Sequence, residues 1–214
     1  AAYRSGDPYM AFAIQASAVP PEATKNTHPL ERNMFKQTSL GIQYGQKGPG
    51  IAARIGCSDS RGWELWRMHR QTYPRFWEWS ESAVNHALLR GHIWTPLGWT
   101  YYPTGEVNGR SLQNWPMQST GADMLRLACC LATERGVQVD APVHDALLIE
   151  APDGDLEAAI IITQAAMAEA SRVVLSGFEL QTDVQRVVYP DRYRDERGQA
   201  VWELVCEVVE KYHH

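Results

Sequence analysis

Four residues spaced four apart form a stripe suited to a phosphate-bearing ligand. Arg32, Lys36, Leu40 and Tyr44 lie on one face of a helix predicted over 30–45. Because burying unpaired cations is costly, this face is not typical of a core. Arg and Lys hold phosphates through charge-assisted hydrogen bonds, and a phenol suits the sugar or base of the same ligand. A solvated basic face is the alternative, and the stripe alone does not decide between them.

A second candidate is the dipeptide His144–Asp145, which stands between the apolar segments VQVDAPV and ALLIEAP. Both segments predict strands, so the carboxylate of Asp145 would project from a rigid hairpin. A hard cation such as magnesium is presented to a phosphate-bearing substrate in this way. Asp is also a common turn residue, and His–Asp pairs often satisfy each other. The dipeptide by itself is therefore a weak signal.

A third candidate is the polar set Arg110, Asn114 and Gln118, the last two flanking a proline. Amide and guanidinium groups of this kind suit hydrogen bonds to base edges or to a nucleic-acid backbone. The alternative is a loop whose amides bind the neighbouring main chain ahead of a helix.

The elements that must position these residues change in type along the chain. Helices are predicted over 30–45 and 59–90, separated by the breaker QKGPG and interrupted near Pro74. The tryptophans of the second stretch favour a core over a base-stacking platform. A hairpin is then predicted in TPLGWTYYPTGEVNG, followed by a helix in GADMLRLACCLATERG capped by Ser119 or Thr120 and by a hairpin at 137–152. A helix in DLEAAIIITQAAMAEASRVVLSG, a closing strand in FELQTDVQRVVYP and a partly helical tail complete the predicted order. This order predicts an α+β fold.

Composition excludes several classes of protein. The chain has 214 residues, of which 44% are hydrophobic and 21% charged, which is typical of a globular protein and not of a disordered or coiled-coil one. No apolar run approaches the ~18 residues of a membrane span, and no signal peptide is evident. The four cysteines have no disulfide or zinc spacing, which predicts free thiols in a reducing, intracellular, cytoplasmic setting.

The net charge of −5 hides an uneven distribution. Residues 25–110 contain 11 Lys and Arg against 6 Asp and Glu, whereas residues 111–214 contain 8 against 17. A basic part joined to an acidic part suits a protein that binds polyanions with one and cations with the other. Two solvated surfaces of opposite sign explain the charges equally well.

Taken in order, these segments resemble the A-family DNA polymerases. RNMFKQTSLGIQYG is similar to motif B on the O-helix of the fingers, NWPMQSTGADMLRLA to the N-x-P-x-Q-G-T-A-A-D segment, and VHDALLIE to motif C. SGDPYMAFA resembles the segment ahead of the fingers helix, and YPDRYRDERG is similar to the tail of phage-type members. A virus-encoded origin stays open on that last similarity.

The resemblance implies a role for each matched residue. Arg32 and Lys36 would bind the triphosphate of an incoming dNTP, with Lys36 as the acid that protonates pyrophosphate, and Tyr44 would lie near the templating base pair. Primer–template DNA would be contacted near its growing end, with His144 beside the primer terminus. Asp145 would ligate the catalytic magnesium ions, two of which are expected in the complete enzyme. The remaining DNA contacts would come from Arg110, Asn114 and Gln118.

Three positions depart from the family pattern. Leu40 stands where an aromatic residue usually contacts the nucleotide sugar, so discrimination between deoxy and dideoxy sugars should differ. Tyr9 stands where a phosphate-contacting His is common. Ala146 replaces the Glu that usually follows the motif C aspartate, which removes one carboxylate from the metal neighbourhood.

The family's domain plan implies a leading segment and linker at 1–28, fingers at 29–108 that include the O-helix at 30–45, and a C-terminal palm portion at 109–212 with the motif C hairpin. His213 and His214 are predicted to be a tag remnant. Motif A, which carries the other metal-binding aspartate, has no counterpart here. We therefore expect a fragment or one half of a split enzyme, inactive alone, that requires a partner segment carrying motif A.

Two other functions compete with polymerisation. A metal-dependent phosphohydrolase of the His-Asp type would need further ligands on helices around the dipeptide, whereas His144 and Asp145 lie between predicted strands. A non-catalytic nucleic-acid-binding or assembly module would keep the fold without the reaction.

Overall fold

The computed structural model describes residue 3 and residues 6–105, 108–193 and 196–212. The predicted tag remnant at 213–214 and parts of the quoted segments SGDPYMAFA, TGEVNG and YPDRYRDERG lie outside the described residues. Helices dominate, with two small antiparallel sheets, so the predicted α+β class is confirmed. The elements are α1 (Pro8–Gln15), α2 (Pro29–Gln43), α3 (Gly48–Ile55), α4 (Asp59–Thr72), α5 (Pro74–Arg90), β1 (Ile93–Trp94), β2 (Thr100–Tyr101), α6 (Gly109–Glu134), β3 (Gln138–Val143), β4 (Ala146–Glu150), α7 (Leu156–Val174) and α8 (Gln199–Tyr212).

The chain forms two compact units, residues 1–124 and 125–214, and the division falls within α6. The predicted boundary between fingers and palm at 108/109 lies at the start of that helix instead. Since the division into units follows packing alone, it leaves the fingers and palm assignments as predictions.

The first unit contains an aromatic core formed by helices α1, α2, α4 and α5. Phe12 of α1 and Phe35 of α2 are fully buried and meet edge to face at 4.7 Å between ring centroids, a favourable aromatic geometry. His69 of α4 and Trp77 of α5 join the same cluster through ring contacts. The tryptophan-rich stretch therefore packs largely as core, as its spacing predicts, although Trp79 stays 45% exposed.

His69 is buried as a neutral imidazole. Its Nδ1 accepts a hydrogen bond from the indole Nε1 of Trp77 at 3.1 Å, which places the remaining ring proton on Nε2. Burial lowers the pKa of His69 to about 4. The group therefore serves the core and takes no part in the candidate site.

The QKGPG segment is not a simple breaker, because α3 begins inside it at Gly48. Pro49 occupies the first turn, where its missing N–H costs no helical hydrogen bond. A Cβ on Gly48 would overlap the ring of Trp63, and one on Gly62 would overlap the backbone of Gly48. The glycines thus allow α3 and α4 to pack closely.

The largest correction concerns the helix predicted over GADMLRLACCLATERG, residues 121–136, with Ser119 or Thr120 as its cap. It begins twelve residues earlier, at Gly109, and runs through Pro116. Asn108 accepts a hydrogen bond from the backbone N–H of Arg110 at 3.0 Å, which satisfies one of the free donors of the first turn. Ser119 is not a cap, since its Oγ donates to the carbonyl of Trp115 one turn back.

The second unit contains the β3–β4 hairpin and α7. Its small core joins Ala132, Val137 and Ala166, with Val139 and Ile149 of the hairpin packed against it. The strand predicted over FELQTDVQRVVYP is wrong, because residues 178–188 pair with no strand among the described residues. Side chains of α7 hold this segment instead: Leu180 N–H donates to Ser171 Oγ, and Gln164 donates to Thr182.

Candidate functional site

The stripe on α2 is half-buried and not a freely solvated face. Arg32, Lys36 and Leu40 are partly covered, and Tyr44, just past the end of the helix, is 50% exposed. Phe35 and Ile42 on the other side of the helix are fully buried, and they fix which face is presented. Helix α2 begins at Pro29 and ends at Gln43, within two residues of the predicted 30–45.

Arg32 is held by a carboxylate that the sequence reasoning missed. Its Nε donates to Oδ2 of Asp7 at 2.6 Å, and its guanidinium carbon lies 5.5 Å from the centre of the Tyr9 ring. Arg32 and Tyr9, both predicted to bind nucleotide, are thereby brought together. The signal for Asp7 was present in the Asp-Pro pair of SGDPY, which is typical of a helix N-cap.

The two carboxylate oxygens of Asp7 accept hydrogen bonds from different groups. Its Oδ1 accepts the backbone N–H of Met10 at 3.1 Å and caps α1, while Oδ2 takes Arg32. Burial acts to raise the pKa of this carboxyl, but the hydrogen bonds and charge of Arg32 and the Met10 N–H outweigh it and lower the pKa. Asp7 is therefore ionised at neutral pH.

The pair remains open to ligands. The side chain of Arg32 is 30% exposed, and a pocket of about 530 Å³ borders the pair. Lys25 also lines this pocket, together with apolar side chains that include Met10 and Ile14. Within the described part of the chain, no carboxylate lies within ion-pair distance of Lys36, which suits a cation that meets an anionic ligand.

The third set of residues proves to be a second stripe. Arg110, Asn114 and Gln118 all lie in α6, where four-residue spacing places them on one face over about 12 Å. Arg110 and Gln118 are exposed and Asn114 is half-buried. The loop alternative for these amides is therefore wrong.

The two stripes approach each other at Gly45. This residue has φ +73°, and a Cβ there would lie 2.9 Å from the Cβ of Arg110. The glycine thus provides both the left-handed backbone that ends α2 and the room for α6 to pass. Arg110 consequently lies beside the end of the stripe that carries Tyr44.

Asp123 of α6 is a buried carboxylate that the sequence reasoning also missed. Its Oδ2 accepts the backbone N–H of Leu97 at 3.1 Å, and the side chain is fully buried. Asp123 therefore anchors the β1–β2 turn to α6 and has a structural role.

The motif C dipeptide lies at the tip of its hairpin, as predicted. Val143 pairs with Ala146, which leaves His144 and Asp145 as a two-residue turn, and His144 has φ +58°. Both side chains are exposed. The strand pairing from Gln138–Glu150 inward gives the turn a defined base.

The described residues do not complete a magnesium site at this turn. They contain no group of three His, Cys, Asp or Glu side chains placed to hold a metal, and Asp145 supplies one carboxylate only. Magnesium needs several oxygen ligands in octahedral geometry, and a neighbouring imidazole is a poor substitute. The same finding leaves a His-Asp phosphohydrolase without its metal ligands among these residues.

Two further predictions from the sequence concern the cysteines and membrane-spanning helices. All four cysteines are free thiols, and burial raises the pKa of Cys129. Across the described residues, the helices are too short or too polar to cross a bilayer.

Comparison with known proteins identifies the family to which the chain is similar. The sequence profile described as DNA polymerase family A matches residues 1–187. The thermostable DNA polymerase I of Thermus caldophilus is 27% identical over 165 residues, covering 71% of this chain and 19% of that protein. DNA polymerase I of Deinococcus radiodurans is 25% identical over 159 residues, covering 68% and 16%.

A solved structure has a similar fold. The POL domain of Pol1 from M. smegmatis, in complex with DNA primer-template and dNTP, superposes with a TM-score of 0.67 at 23% identity, over 77% of this chain and 31% of that one. This chain spans about a fifth or less of the length of the curated relatives it matches. With the profile matching most of its residues, the chain belongs to DNA polymerase family A.

Proposed function

We propose that this chain supplies the nucleotide-binding and part of the DNA-binding surface of a template-directed DNA polymerase, which transfers a nucleotide from a dNTP to a primer 3′-hydroxyl. The observation that carries the proposal is the meeting of the two stripes at Gly45 and Arg110. One stripe has the cations that a triphosphate requires, and the other has the amides that suit base edges and backbone.

Residue roles follow from chemistry and from family membership. Arg32 and Lys36 bind the phosphates, with Lys36 placed to give a proton to departing pyrophosphate, while Leu40 and Tyr44 face the sugar and base. Tyr9 supports Arg32 through its ring. Primer–template DNA is contacted by Arg110, Asn114 and Gln118, and by His144 near the primer terminus. The names of the relatives, and the DNA and dNTP in the M. smegmatis complex, support these roles.

Asp145 is proposed to contribute one carboxylate to a divalent-metal centre. A two-metal centre requires carboxylates beyond this one, and none of the described residues joins it in a group of three. We therefore expect the chain to need a segment that supplies the remaining ligands.

Nucleotide binding is the first test. Titration of the chain with a dNTP, followed by calorimetry, should show weak binding that Arg32→Ala and Lys36→Ala each reduce by about tenfold, the loss of one charge-assisted contact. Arg67→Ala is the matched control, because it removes the same charge from an exposed position on α4. An equal loss in all three variants would reduce the site to general charge attraction and contradict the proposal.

Primer extension is the second test. The chain alone should not extend a labelled primer, and mixing it with a polypeptide that carries an A-family motif A segment should restore extension. Robust extension by the lone chain would refute the need for further carboxylates.

The second candidate function is a non-catalytic nucleic-acid-binding module. It is favoured by two observations: no group of three potential metal ligands includes Asp145 among the described residues, and alanine stands at position 146. Asp145→Asn in the mixed system separates the two. Loss of extension with unchanged DNA affinity supports catalysis, whereas unchanged extension removes Asp145 from the reaction.

A further inference from the structure

Among the described residues, one edge of the Arg32 guanidinium is held: its Nε donates a hydrogen bond to Asp7. The centre of the Tyr9 ring lies 5.5 Å from the guanidinium carbon. A guanidinium presents two bidentate edges, and the Nη1–Nη2 edge matches the spacing of phosphate oxygens. A carboxylate at Nε leaves that second edge for a ligand.

Resting on the proposed function, we propose that Asp7 is a positioning residue, which holds Arg32 through Nε so that the Nη1–Nη2 edge meets the phosphates of a nucleoside triphosphate. Arg has several rotatable bonds, and holding it in one conformer before the ligand arrives removes an entropic cost from binding. The partner is the N-cap of α1, 25 positions away in the chain, so the packing of α1 on α2 sets the position of Asp7 beside Arg32.

The opposite effect, in which Asp7 weakens binding of the ligand, is also physically reasonable, so experiment can decide between the two. A carboxylate beside Arg32 also lowers the net positive charge that a phosphate meets, and it would then compete with the ligand. Positioning predicts that removal of the Asp7 charge weakens binding of a polyphosphate, whereas competition predicts that it strengthens binding.

Asp7→Asn separates positioning from helix capping. Asn is as good an N-cap as Asp, so its single oxygen can keep the bond to the Met10 N–H. Its NH2 group then faces Nε of Arg32, donor against donor, and the pair is lost while α1 stays capped. Asp7→Glu keeps a carboxylate and serves as the rescue variant. Glu22→Gln removes an exposed carboxylate ahead of helix α2 and is the control for charge alone.

The experiment measures binding of inorganic tripolyphosphate to the full chain by calorimetry, with the Nε–Hε proton of Arg32 followed by NMR. We expect about tenfold weaker binding in Asp7→Asn, partial recovery in Asp7→Glu, no loss in Glu22→Gln, and faster solvent exchange of Hε in Asp7→Asn. Unfolding midpoints and circular dichroism should match those of the unmodified chain.

Three results would overturn the inference. They are unchanged or tighter tripolyphosphate binding in Asp7→Asn, unchanged exchange of Hε, and no binding of tripolyphosphate by the unmodified chain. The proposed polymerase function is judged separately by primer extension in the mixed system. If primer extension fails but Asp7→Asn still weakens tripolyphosphate binding, the polymerase function is overturned and the positioning role of Asp7 is retained.

Discussion

The cationic stripe of α2 and the carboxylate of the β3–β4 hairpin differ in how much of their surroundings the described residues supply. Arg32 has a carboxylate, a ring and a core-packed helix around it. Asp145 is exposed at a turn, with no metal-ligand group among the described residues. The surroundings of the proposed phosphate-binding surface are thus supplied locally, whereas the proposed metal centre needs further ligands beside its turn.

The same contrast holds for packing. Helices α1–α5 enclose Phe12, Phe35 and Leu65 with no exposed surface. In the hairpin, Val143 and Leu148 are more than half exposed. We expect the two regions to respond very differently to loss of a large apolar side chain.

Phe35→Ala should have the largest effect on stability. It removes a fully buried ring and its edge-to-face contact with Phe12, which costs about 3–5 kcal/mol of unfolding free energy. Leu148→Ala in the hairpin is the exposed comparison and should cost under about 1 kcal/mol, because the side chain is 55% exposed. Urea unfolding followed by circular dichroism measures both, and equal costs would abolish the contrast between the regions.

His69 should make the first unit sensitive to acid. Its pKa of about 4 lies below the ordinary 6.5, so the unfolded chain binds the proton more readily and stability falls as the pH drops from about 6.5 towards 4. The shift corresponds to about 3 kcal/mol. Protonation would put an N–H at Nδ1, against the indole N–H of Trp77 that now donates to it.

The measurement for His69 is the unfolding free energy between pH 7 and pH 4. His69→Gln should flatten this profile, since Gln does not titrate, while His28→Gln, at a partly exposed position, should leave it unchanged. A profile as steep in His69→Gln as in the unmodified chain would assign the acid sensitivity to other groups.

Gly45→Ala tests the junction of the two stripes with a smaller effect. Its φ of +73° strains any L side chain, and the new Cβ would lie 2.9 Å from Arg110. Gly56→Ala is a close control, because its φ of +72° carries the same strain with open space around it. We expect about 1 kcal/mol of destabilisation for Gly56→Ala and about 1–2 kcal/mol more for Gly45→Ala.

Thermal unfolding gives both costs, and DNA binding gives the functional consequence. Displacement of Arg110 by the new methyl group should weaken primer–template binding in Gly45→Ala only. Identical stabilities for the two variants would mean that α6 yields freely at this contact and that the junction is not rigid.

Sequence reasoning located elements whose patterns are local. The helix over 30–45 and the hairpin over 137–152 each depend on a periodicity that a few residues establish, and the predicted bounds of both agree with the structure within two residues. The start of α6 was misplaced because Pro116 reads as a boundary, although Leu112 is fully buried one turn earlier and anchors the continuous helix.

The errors share a physical origin in contacts between distant residues. Residues 178–188 alternate like a strand, yet a strand exists only with a partner, and side chains of α7 hold this segment instead. The Asp7–Arg32 pair likewise connects two helices. The sequence of each helix singles out its own residue, but neither sequence shows that the two residues form a pair. Periodicity predicts which residues share a face of a helix or strand. Which two faces contact each other depends on packing between segments that are distant in the sequence.

Leu40 provides the smallest expected effect and the sharpest test of the α2 stripe itself. It is half-buried between Lys36 and Tyr44 on the presented face, so Leu40→Phe and Leu40→Tyr place a flat ring where a branched chain now stands, at under about 0.5 kcal/mol in stability. If this position faces the sugar, the ratio of dNTP to ddNTP affinity should change by about threefold, less than the loss of one hydrogen bond. Calorimetric titration of the three proteins with both nucleotides measures the ratio. Because the hairpin is untouched by these changes, identical ratios in all three would exclude contact between the sugar and the α2 stripe and leave only the proposed phosphate contacts.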